Sequence, residues 1–289
     1  MSKYSVLITG ANGLLGHEAC VRLAPTHHIH ALVHGEPSDP VPGVHYHMID
    51  FAGPWSATDL PDGIEAVFHL AQSSKFRDFP DSALDVFDVN IRSTAMLLDY
   101  AYRQGVKRFV YASSGGVYGA EGGTFDENAP IDVKYDLGYY LGSKLCGEIL
   151  AQNYTKHMDV SILRFFFLYG KRQNRSMLLP RLVDNIREGR PLYLQGREGL
   201  ALNPIHVSDA ALCLEKSLTL EGSQTINIAG KDTYSLKAIA TMIENLTGTT
   251  PLFEHTDGKA RNLLADISLM GQYFGAPKIP LAEGLKDLL

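Results

Sequence analysis

The start of the chain places a buried strand, a glycine-rich turn and a helix in immediate succession. Residues 4–9 have an apolar strand pattern, residues 10–16 read GANGLLG, and an amphipathic helix pattern follows to about residue 23. Glycines let a ligand approach the backbone of such a turn, and the helix N-terminus adds unpaired N–H groups and a favourable dipole. The pattern therefore predicts a pyrophosphate site at Gly10, Gly13 and Gly16, although a plain tight turn has the same residues.

Strand and helix patterns continue to alternate through the first part of the chain. Further strand patterns cover residues 28–33, 44–48, 66–71, 108–113 and 160–166, and helix patterns cover residues 84–103 and 140–157. Strands that alternate with helices form a parallel sheet with helices on both faces. We therefore predict an α/β fold, a Rossmann-type doubly wound parallel sheet with a smaller, discontinuous C-terminal lobe.

The regular alternation stops after residue 166. Residues 206–218 and 225–228 resemble a return to the main sheet, and no repeats or long linkers interrupt the chain. The predicted dinucleotide-binding domain is residues 1–166, with residues 204–229 returning to it. The predicted substrate-binding lobe consists of residues 167–203 and 230–289.

A second glycine pattern runs from Gly116 to Gly122 and also follows a strand. Residues 124–130 after it have the composition of a loop, so no helix supplies a dipole there. We therefore expect no phosphate site at this second pattern.

One tyrosine, Tyr140, is followed four positions later by a lysine, Lys144. On a helix these positions lie on one face, so the ammonium is close to the phenol. A nearby positive charge favours the phenolate and lowers the tyrosine pKa towards the range of a proton acceptor. The pair is either a catalytic acid/base with its partner or two surface residues of an amphipathic helix.

The strand of residues 28–33 ends at His34, where a dinucleotide-binding unit contacts the adenosine ribose. An acid at this point binds the 2′-hydroxyl of NAD, and a base binds the 2′-phosphate of NADP. Glu36 and Asp39 come later than the usual position. The cofactor is therefore NADP or NAD, and the missing acid favours NADP.

Four histidines alternate on two of the predicted strands, so that each pair shares a face: His28, His30, His45 and His47. A metal site would need a further ligand, and no cysteine or carboxylate is close in the sequence. We therefore predict no metal and expect these side chains to be solvated or hydrogen-bonded.

Composition and charge limit the classes of partner that we expect for this chain. Its 289 residues are 45% hydrophobic with a net charge of -6, which gives no reason to expect nucleic acid or an anionic membrane as partner. No apolar run approaches the roughly 18 residues of a membrane-spanning helix, and the strand pattern at the N-terminus predicts no signal peptide. Cys20, Cys146 and Cys213 are far apart, which suits a reducing compartment. We therefore expect a cytoplasmic protein with a small-molecule partner.

Taken together, the motifs resemble the extended short-chain dehydrogenase/reductase family, in its NAD(P)-dependent epimerase/dehydratase branch. Each motif alone is weak, but their order and spacing along nearly the whole chain are specific. Besides the glycine turn and the Tyr140/Lys144 pair, the resemblance rests on His69-Leu70-Ala71, Asn90, Ser114 before Val117-Tyr118-Gly119, Leu163-Arg164-Phe165, Tyr169-Gly170 and Asn203-Pro204-Ile205-His206-Val207-Ser208-Asp209.

The resemblance implies a catalytic set of Ser114, Tyr140 and Lys144. Ser114 would hydrogen-bond the reacting substrate oxygen, and Tyr140 would be the acid/base. Lys144 would hold the nicotinamide ribose and lower the tyrosine pKa. Ser113 would be mistaken for the catalytic serine without the Val-Tyr-Gly motif that follows. The implied cofactor-binding positions are Gly10, Asn12, Gly13, Leu14, Leu15, Gly16, His34, Asp50, Phe51, Leu70, Ala71, Gln72, Asn90, Ser113, Tyr140, Lys144 and Phe167.

The chain departs from the family pattern at two places. Gly115 and Gly116 stand where dehydratases carry an acidic pair, which disfavours a dehydratase because glycine has no proton to give. Phe167 replaces the asparagine of nucleotide-sugar enzymes, and Leu202 and Thr256 stand near the positions of their diphosphate-binding arginines. Three other cations would either bind the phosphates from shifted positions or be solvated surface charges: Arg175, Lys259 and Arg261.

The resemblance leaves three functions to compare. We expect an NAD(P)-dependent epimerase of a sugar, in particular a nucleotide-sugar, in which a ring hydroxyl is oxidised and the hydride returns to the other face. The alternative is an NAD(P)H-dependent reductase or dehydrogenase of a sugar or small carbonyl compound without a nucleotide. The intact Ser114, Tyr140 and Lys144 set argues against a non-catalytic dinucleotide sensor. Family members commonly form a homodimer through the helices that here carry Asn90 and Tyr140.

Overall fold

Strands and helices alternate along the chain as the sequence predicts. The computed structural model describes residues 3–119, 122–134, 137–258 and 260–289. The strands in these ranges are β1 (Ser5–Thr9), β2 (His28–Val33), β3 (Val44–Met48), β4 (Ala66–His69), β5 (Arg108–Ser114), β6 (Gly123–Phe125), β7 (Asp159–Phe165), β8 (Leu168–Tyr169), β9 (Leu192–Gln195), β10 (Ala201–Leu202), β11 (Ile205–His206), β12 (Gln224–Ile228), β13 (Tyr234–Ser235), β14 (Phe253–Thr256) and β15 (Leu263–Ala265).

Helices connect most of these strands. The α-helices of the described ranges are α1 (Leu14–Leu23), α2 (Ala83–Phe87), α3 (Ser93–Arg103), α4 (Gly138–Gln152), α5 (Leu178–Arg187), α6 (Val207–Ser217), α7 (Leu236–Thr247), α8 (Ser268–Phe274) and α9 (Leu281–Gly284). Short 3₁₀ turns cover Ala57–Asp59, Gly115–Tyr118 and Leu285–Leu288. None of the helices in the described residues is long and apolar enough to cross a membrane.

The main sheet confirms the predicted doubly wound α/β fold. Seven of the described strands form it, in the order β12-β7-β5-β4-β1-β2-β3. Strand β1 pairs in parallel with β2 and β4, and β4 pairs in parallel with β5. Every residue of β4 is buried, as expected for a strand with helices on both faces. In such a sheet, ligands bind at the carboxyl ends of the strands.

Contacts between residues divide the chain into two compact units. The first unit is Met1–Val117, Asp136–Arg164 and Ala211–Ile226; the second is Tyr118–Tyr135, Phe165–Ala210 and Asn227–Leu289. Residues 118–135 thus belong to the second unit, whereas the sequence placed them in the first domain. The reason is that β6 pairs with β15, which is also part of the second unit. The binding roles of the two units stay a prediction.

Two predicted helices differ from the structure. The helix expected over residues 84–103 consists of α2 and α3 with a π-helical turn, Asp88–Arg92, between them. The helix expected to reach residue 157 ends at Gln152, where the side chain of Asn153 donates to Ile149 O at 2.7 Å and occupies a C-terminal carbonyl. The second glycine pattern is followed by β6 and not by a helix, as predicted.

The second unit has its own apolar core. Helix α5 buries Leu179, Leu182, Val183 and Ile186 at helical spacing. Helix α7 is capped at its N-terminus by Ser235, whose Oγ accepts from Ala238 N at 3.1 Å.

Candidate active site

The glycine turn between β1 and α1 leaves no room for side chains. Gly10 has a φ of +68°, and Gly13 N donates to Gly10 O at 2.9 Å. A Cβ at Gly16 would lie 2.2 Å from Gly10 O, so only glycine fits there. No side chain caps α1 at Gly13, which leaves the backbone N–H groups of its first turn for an anion. The turn, together with Leu14 and the buried Leu15 at the start of α1, therefore fits the pyrophosphate of a dinucleotide.

The loop after β4 lies directly against this turn. Thr9 Oγ1 accepts from Leu70 N at 3.1 Å and from Ala71 N at 3.0 Å. A Cβ at Gly10 would lie 2.8 Å from Ala71 Cα. The buried His69 holds the arrangement, with its ring 2.8 Å from Thr9 Oγ1. The structure thus brings together the predicted cofactor residues of the turn and of this loop.

Further residues predicted to bind the cofactor follow β1, β2 and β3. Asn12 Nδ2 donates to Gly35 O at 2.9 Å, next to the exposed His34. Phe51 is buried beside Trp55, with ring centroids 4.8 Å apart. Asp50 Oδ1 accepts from the amide of Ala52 at 2.9 Å, which orders this loop.

Tyr140 lies on α4 with its phenol directed at the loop after β4. Its hydroxyl donates to Gln72 Oε1 at 2.9 Å, and the half-buried ring contacts Phe76 with centroids 4.8 Å apart. The sequence predicted that Lys144 would lower the pKa of this tyrosine. That prediction is wrong for the chain alone, because burial raises the pKa of Tyr140 to about 12. Tyr140 is therefore a neutral phenol at neutral pH.

Lys144 is buried below Tyr140 on the same helix, with 2% of its surface exposed. Its ammonium donates to Ala112 O at 2.9 Å and lies 5.5 Å from the centre of the Tyr111 ring. Burial lowers the pKa of Lys144 to about 8, and the carboxylate of Glu148 opposes this shift. A buried ammonium of this kind is a strong donor for a ligand hydroxyl.

Ser113 and Ser114 have different surroundings at the end of β5. Ser113 is buried and its hydroxyl donates to Glu148, whereas Ser114 is half-buried and its Oγ accepts from Gly116 N at 3.2 Å. A Cβ at Gly116 would lie 2.7 Å from a methyl group of Leu141, the residue after Tyr140. The turn after Ser114 therefore packs against the helix that carries Tyr140. The catalytic role of Ser114 and the cofactor contact of Ser113 stay predictions.

Asn90 connects the π-helical turn to the loop after β4 and to α4. Its Oδ1 accepts from Ser73 N at 2.9 Å, and its Nδ2 donates to Ser143 Oγ at 2.8 Å. Ser143 in turn donates to Tyr140 O at 2.6 Å. Sequence reasoning singled out Asn90 but missed Ser143, which directly precedes Lys144.

The other described residues that the sequence suggested for the substrate side belong to the second unit. Arg175 is bound to Asp184 through Nε at 2.9 Å and donates to Leu288 O at 2.8 Å, so its guanidinium holds the second unit together. Leu202 is fully buried in the core of that unit. Phe167 also belongs to the second unit, and its cofactor contact stays a prediction. Lys259 lies outside the described residues, and Arg261 is exposed.

Three of the four histidines of β2 and β3 stack, with the ring of His30 against those of His45 and His47. His30 is paired with His45 in the sheet, and its Nδ1 lies 3.0 Å from His47 Nε2. The three rings stack with centroids 5.3–5.5 Å apart. In the described parts of the chain, no group of three or more His, Cys, Asp or Glu side chains is arranged to hold a metal ion.

Comparison with known proteins relates this site to one family. A sequence profile of the NAD dependent epimerase/dehydratase family matches residues 6–229. The UDP-glucuronate 4-epimerase of Thermodesulfobacterium geofontis (strain OPF15) is 30% identical over 232 residues, covering 77% of this chain and 71% of that protein. The dTDP-glucose 4,6-dehydratase of Streptomyces griseus is 31% identical over 234 residues, covering 77% of this chain and 70% of that protein.

A solved structure matches almost the entire chain. MoeE5 in complex with UDP-glucuronic acid and NAD is 27% identical, with a TM-score of 0.84, and the match covers 98% of this chain and 97% of that one.

Proposed function

The chain belongs to the NAD dependent epimerase/dehydratase family, and on that premise we propose that it is a nucleotide-sugar epimerase that works by transient hydride transfer. The observation that carries the proposal is the position of Tyr140. Its phenol donates to Gln72 in the loop after β4. The residue before Gln72, Ala71, lies directly against the glycine turn. An acid/base thus stands at the dinucleotide-binding edge of the sheet. A relative named as a UDP-glucuronate 4-epimerase and a neighbour solved with UDP-glucuronic acid support the substrate class.

In the proposed reaction, Tyr140 moves the proton of the substrate hydroxyl and Ser114 hydrogen-bonds the same oxygen. When bound, the dinucleotide supplies a hydride acceptor and a positive charge at the nicotinamide. Lys144 donates to the ribose hydroxyls and adds a second positive charge on the α4 face of Tyr140. Because the phenol has a raised pKa in the chain alone, these positive charges are what make it a proton acceptor. Loss of the hydroxyl proton and of the hydride turns the sugar alcohol into a ketone, and both return when the other epimer forms.

The turn after Ser114 favours an epimerase over a dehydratase. Dehydration needs an acid and a base beside the catalytic hydroxyl, and residues 115 and 116 are both glycine. A side chain at Gly116 would displace Leu141, because its first carbon would already lie 2.7 Å from a leucine methyl group. The turn therefore has no acidic or basic side chain for the proton transfers of water loss, and it has no space for one at Gly116.

We propose NAD as the cofactor, although the missing acid at His34 favoured NADP. No lysine or arginine occurs between His34 and Asp50, whereas Glu36 and Asp39 are both exposed there. Two carboxylates and no strong base would repel the 2′-phosphate of NADP. NAD is also the dinucleotide in the MoeE5 complex.

A reductase or dehydrogenase of a sugar without a nucleotide is the second candidate. Leu202 has no charged group for a diphosphate, and the guanidinium of Arg175 is bound to Asp184. Exposed Arg261 is the remaining described cation among those considered for that task. A reductase consumes NADH or NADPH in proportion to product, whereas an epimerase does not.

We further propose a cytoplasmic homodimer. Exposed apolar side chains on α2 and α4 support a helical interface, because Leu84 is 77% and Ile149 53% exposed. Leu97 and Leu98 are instead part of the core of the first unit. All three cysteines are described and none forms a disulfide, which agrees with a reducing compartment.

The proposed function is tested by incubating the protein with UDP-glucuronic acid or UDP-glucose and a trace of NAD. We expect conversion to the epimer without accumulation of NADH. Formation of NADH in proportion to product would identify a dehydrogenase, and a product that has lost water would identify a dehydratase. Either result would overturn the proposal.

A further inference from the structure

A buried ion pair lies one helical turn beyond Lys144. Arg164 in β7 donates from Nε to Glu148 Oε1 at 3.0 Å and from Nη2 to Glu148 Oε2 at 2.7 Å. Ser113 at the end of β5 donates to the same carboxylate. Only 1% of Glu148 and 5% of Arg164 is exposed. Neither residue takes part in the reaction as proposed above.

Stability alone is a poor reason for such a pair. Removing two charges from water costs several kcal/mol, and well-packed apolar residues of similar volume often stabilise a core as well or better. Three elements meet at this point, α4, β5 and β7, and hydrophobic side chains would join them without that cost. The carboxylate therefore calls for a reason in the chemistry beside it.

That reason is the charge on Lys144. Glu148 and Lys144 are four positions apart on α4, so they lie on the same face at a Cβ separation of about 5–6 Å. The ammonium is buried and its hydrogen bond goes to a neutral carbonyl, that of Ala112. Of the described acidic groups, Glu148 is the one whose charge acts on Lys144.

The other titratable groups around Lys144 do not supply a counter-charge. His69 in β4 has its pKa lowered by burial to about 3, and burial raises the pKa of Tyr111 and Tyr140, so all three are neutral at pH 7. The segment from α2 to α3, which packs on α4, presents Asn90 to Ser143. Its acidic side chains are bound to other cations: Asp85 to Lys75, Asp88 to Arg92 and Asp99 to Arg103.

We propose that Glu148 is a positioning residue: its carboxylate, fixed by Arg164 and Ser113, is the counter-charge that keeps Lys144 an ammonium inside the site. Arg164 orients the carboxylate through its two hydrogen bonds. This inference rests on the proposed function only for the role of Lys144 in binding the ribose.

The test is the pH dependence of NAD affinity, measured by calorimetry between about pH 6 and pH 10 without any sugar substrate. If the Lys144 ammonium binds the ribose, affinity falls as pH rises through its pKa, which is about 8. This decrease of NAD affinity at high pH is called the alkaline limb. We expect Lys144→Met to abolish it. In Glu148→Gln the limb moves to lower pH by about one unit or more, because an opposite charge at this distance is worth that much.

Further variants separate charge from folding. Glu148→Gln leaves the Arg164 charge buried without a partner and will be less stable, so the double variant Glu148→Gln/Arg164→Met is measured beside it. The double variant lacks both charges of the pair, so we expect a downward shift of the limb that is smaller than in Glu148→Gln, because the positive charge of Arg164 is removed as well. Glu148→Asp keeps the carboxylate and should return the limb towards its wild-type position.

The inference fails if the limb is lost in Lys144→Met but stays at the wild-type pH in both Glu148 variants, because Glu148 would then act only on folding. It also fails if Lys144→Met keeps the limb. Failure of the proposed function is distinguishable from failure of this inference. In that case the pH dependence of NAD affinity would still change in the variants as described, but the protein would epimerise no nucleotide-sugar.

Discussion

The phenol of Tyr140 donates a hydrogen bond to the side-chain oxygen of Gln72 at 2.9 Å. This contact joins α4 to the loop after β4, whose amides at Leu70 and Ala71 are held by Thr9 beside the glycine turn. The acid/base of the proposed reaction and the dinucleotide cradle are therefore connected by one short series of contacts. In such an arrangement a small displacement of the loop would also displace the phenol.

Replacing Tyr140 by phenylalanine should stop turnover and leave NAD binding largely intact. The variant keeps the ring that packs on Phe76 and removes only the hydroxyl. We expect turnover to fall at least about 100-fold, the lower range for loss of a general acid/base. Tyr139→Phe is the matched control, because the neighbouring ring stacks on Phe79 and has no predicted catalytic role. Turnover that survives in the Tyr140 variant would remove this residue from the mechanism.

Gly16→Ala should weaken NAD binding by more than about tenfold and destabilise the protein by about 1–3 kcal/mol. Its methyl group would lie 2.2 Å from Gly10 O, which is backbone and has no other rotamer to adopt. Gly271→Ala is the control, since Gly271 lies within α8 and no atom is within 4 Å of its Cβ position. That substitution should be neutral or stabilising by less than about 1 kcal/mol. Quenching of the single tryptophan, Trp55, would report NAD binding, and equal affinities in both variants would contradict the cradle.

NAD should bind at least about tenfold more tightly than NADP. The residues that follow β2 bring two carboxylates and no strong base to the place of the 2′-phosphate. His34→Arg should narrow the ratio of the two dissociation constants by binding that phosphate, whereas His34→Gln should leave it unchanged. A wild-type preference for NADP would contradict the proposed repulsion of the 2′-phosphate.

The stacked histidines should make the protein less stable in mild acid. Burial, followed by repulsion from neighbouring histidines, lowers the pKa of His30 and of His47 below the ordinary 6.5. A base with a lower pKa in the folded state takes up protons more readily when unfolded, so stability is full above about pH 6.5 and declines as pH falls below that value. The free energy of unfolding, measured in urea across this range, should decline less in His47→Gln than in the wild type. An equal decline in the two proteins would contradict this explanation.

The sequence was most informative where the structure is determined locally. The strand, glycine turn and helix at the N-terminus are encoded by adjacent residues. The i, i+4 spacing of Tyr140 and Lys144 placed both side chains on one helical face. These features depend on neighbours in the chain, which a sequence shows directly.

The sequence was least informative where distant residues set the environment. Tyr140 has a raised pKa because tertiary packing, including contact with Phe76, removes its phenol from water. The ion pair of Glu148 and Arg164 joins positions on different elements, α4 and β7, which no spacing in the sequence connects. The π-helical turn at Asp88–Arg92 has an ordinary amphipathic pattern, so it read as a continuous helix.

The most direct test of the account uses a nucleotide-sugar with deuterium in place of hydrogen on the carbon that is inverted. The protein, with a catalytic amount of NAD, is incubated with this substrate, and the product is examined by mass spectrometry and NMR. If the hydride leaves and returns within one site, the epimer keeps its deuterium and no labelled NADH accumulates. Exchange of the label for solvent hydrogen, or its transfer to NADH in proportion to product, would contradict the account.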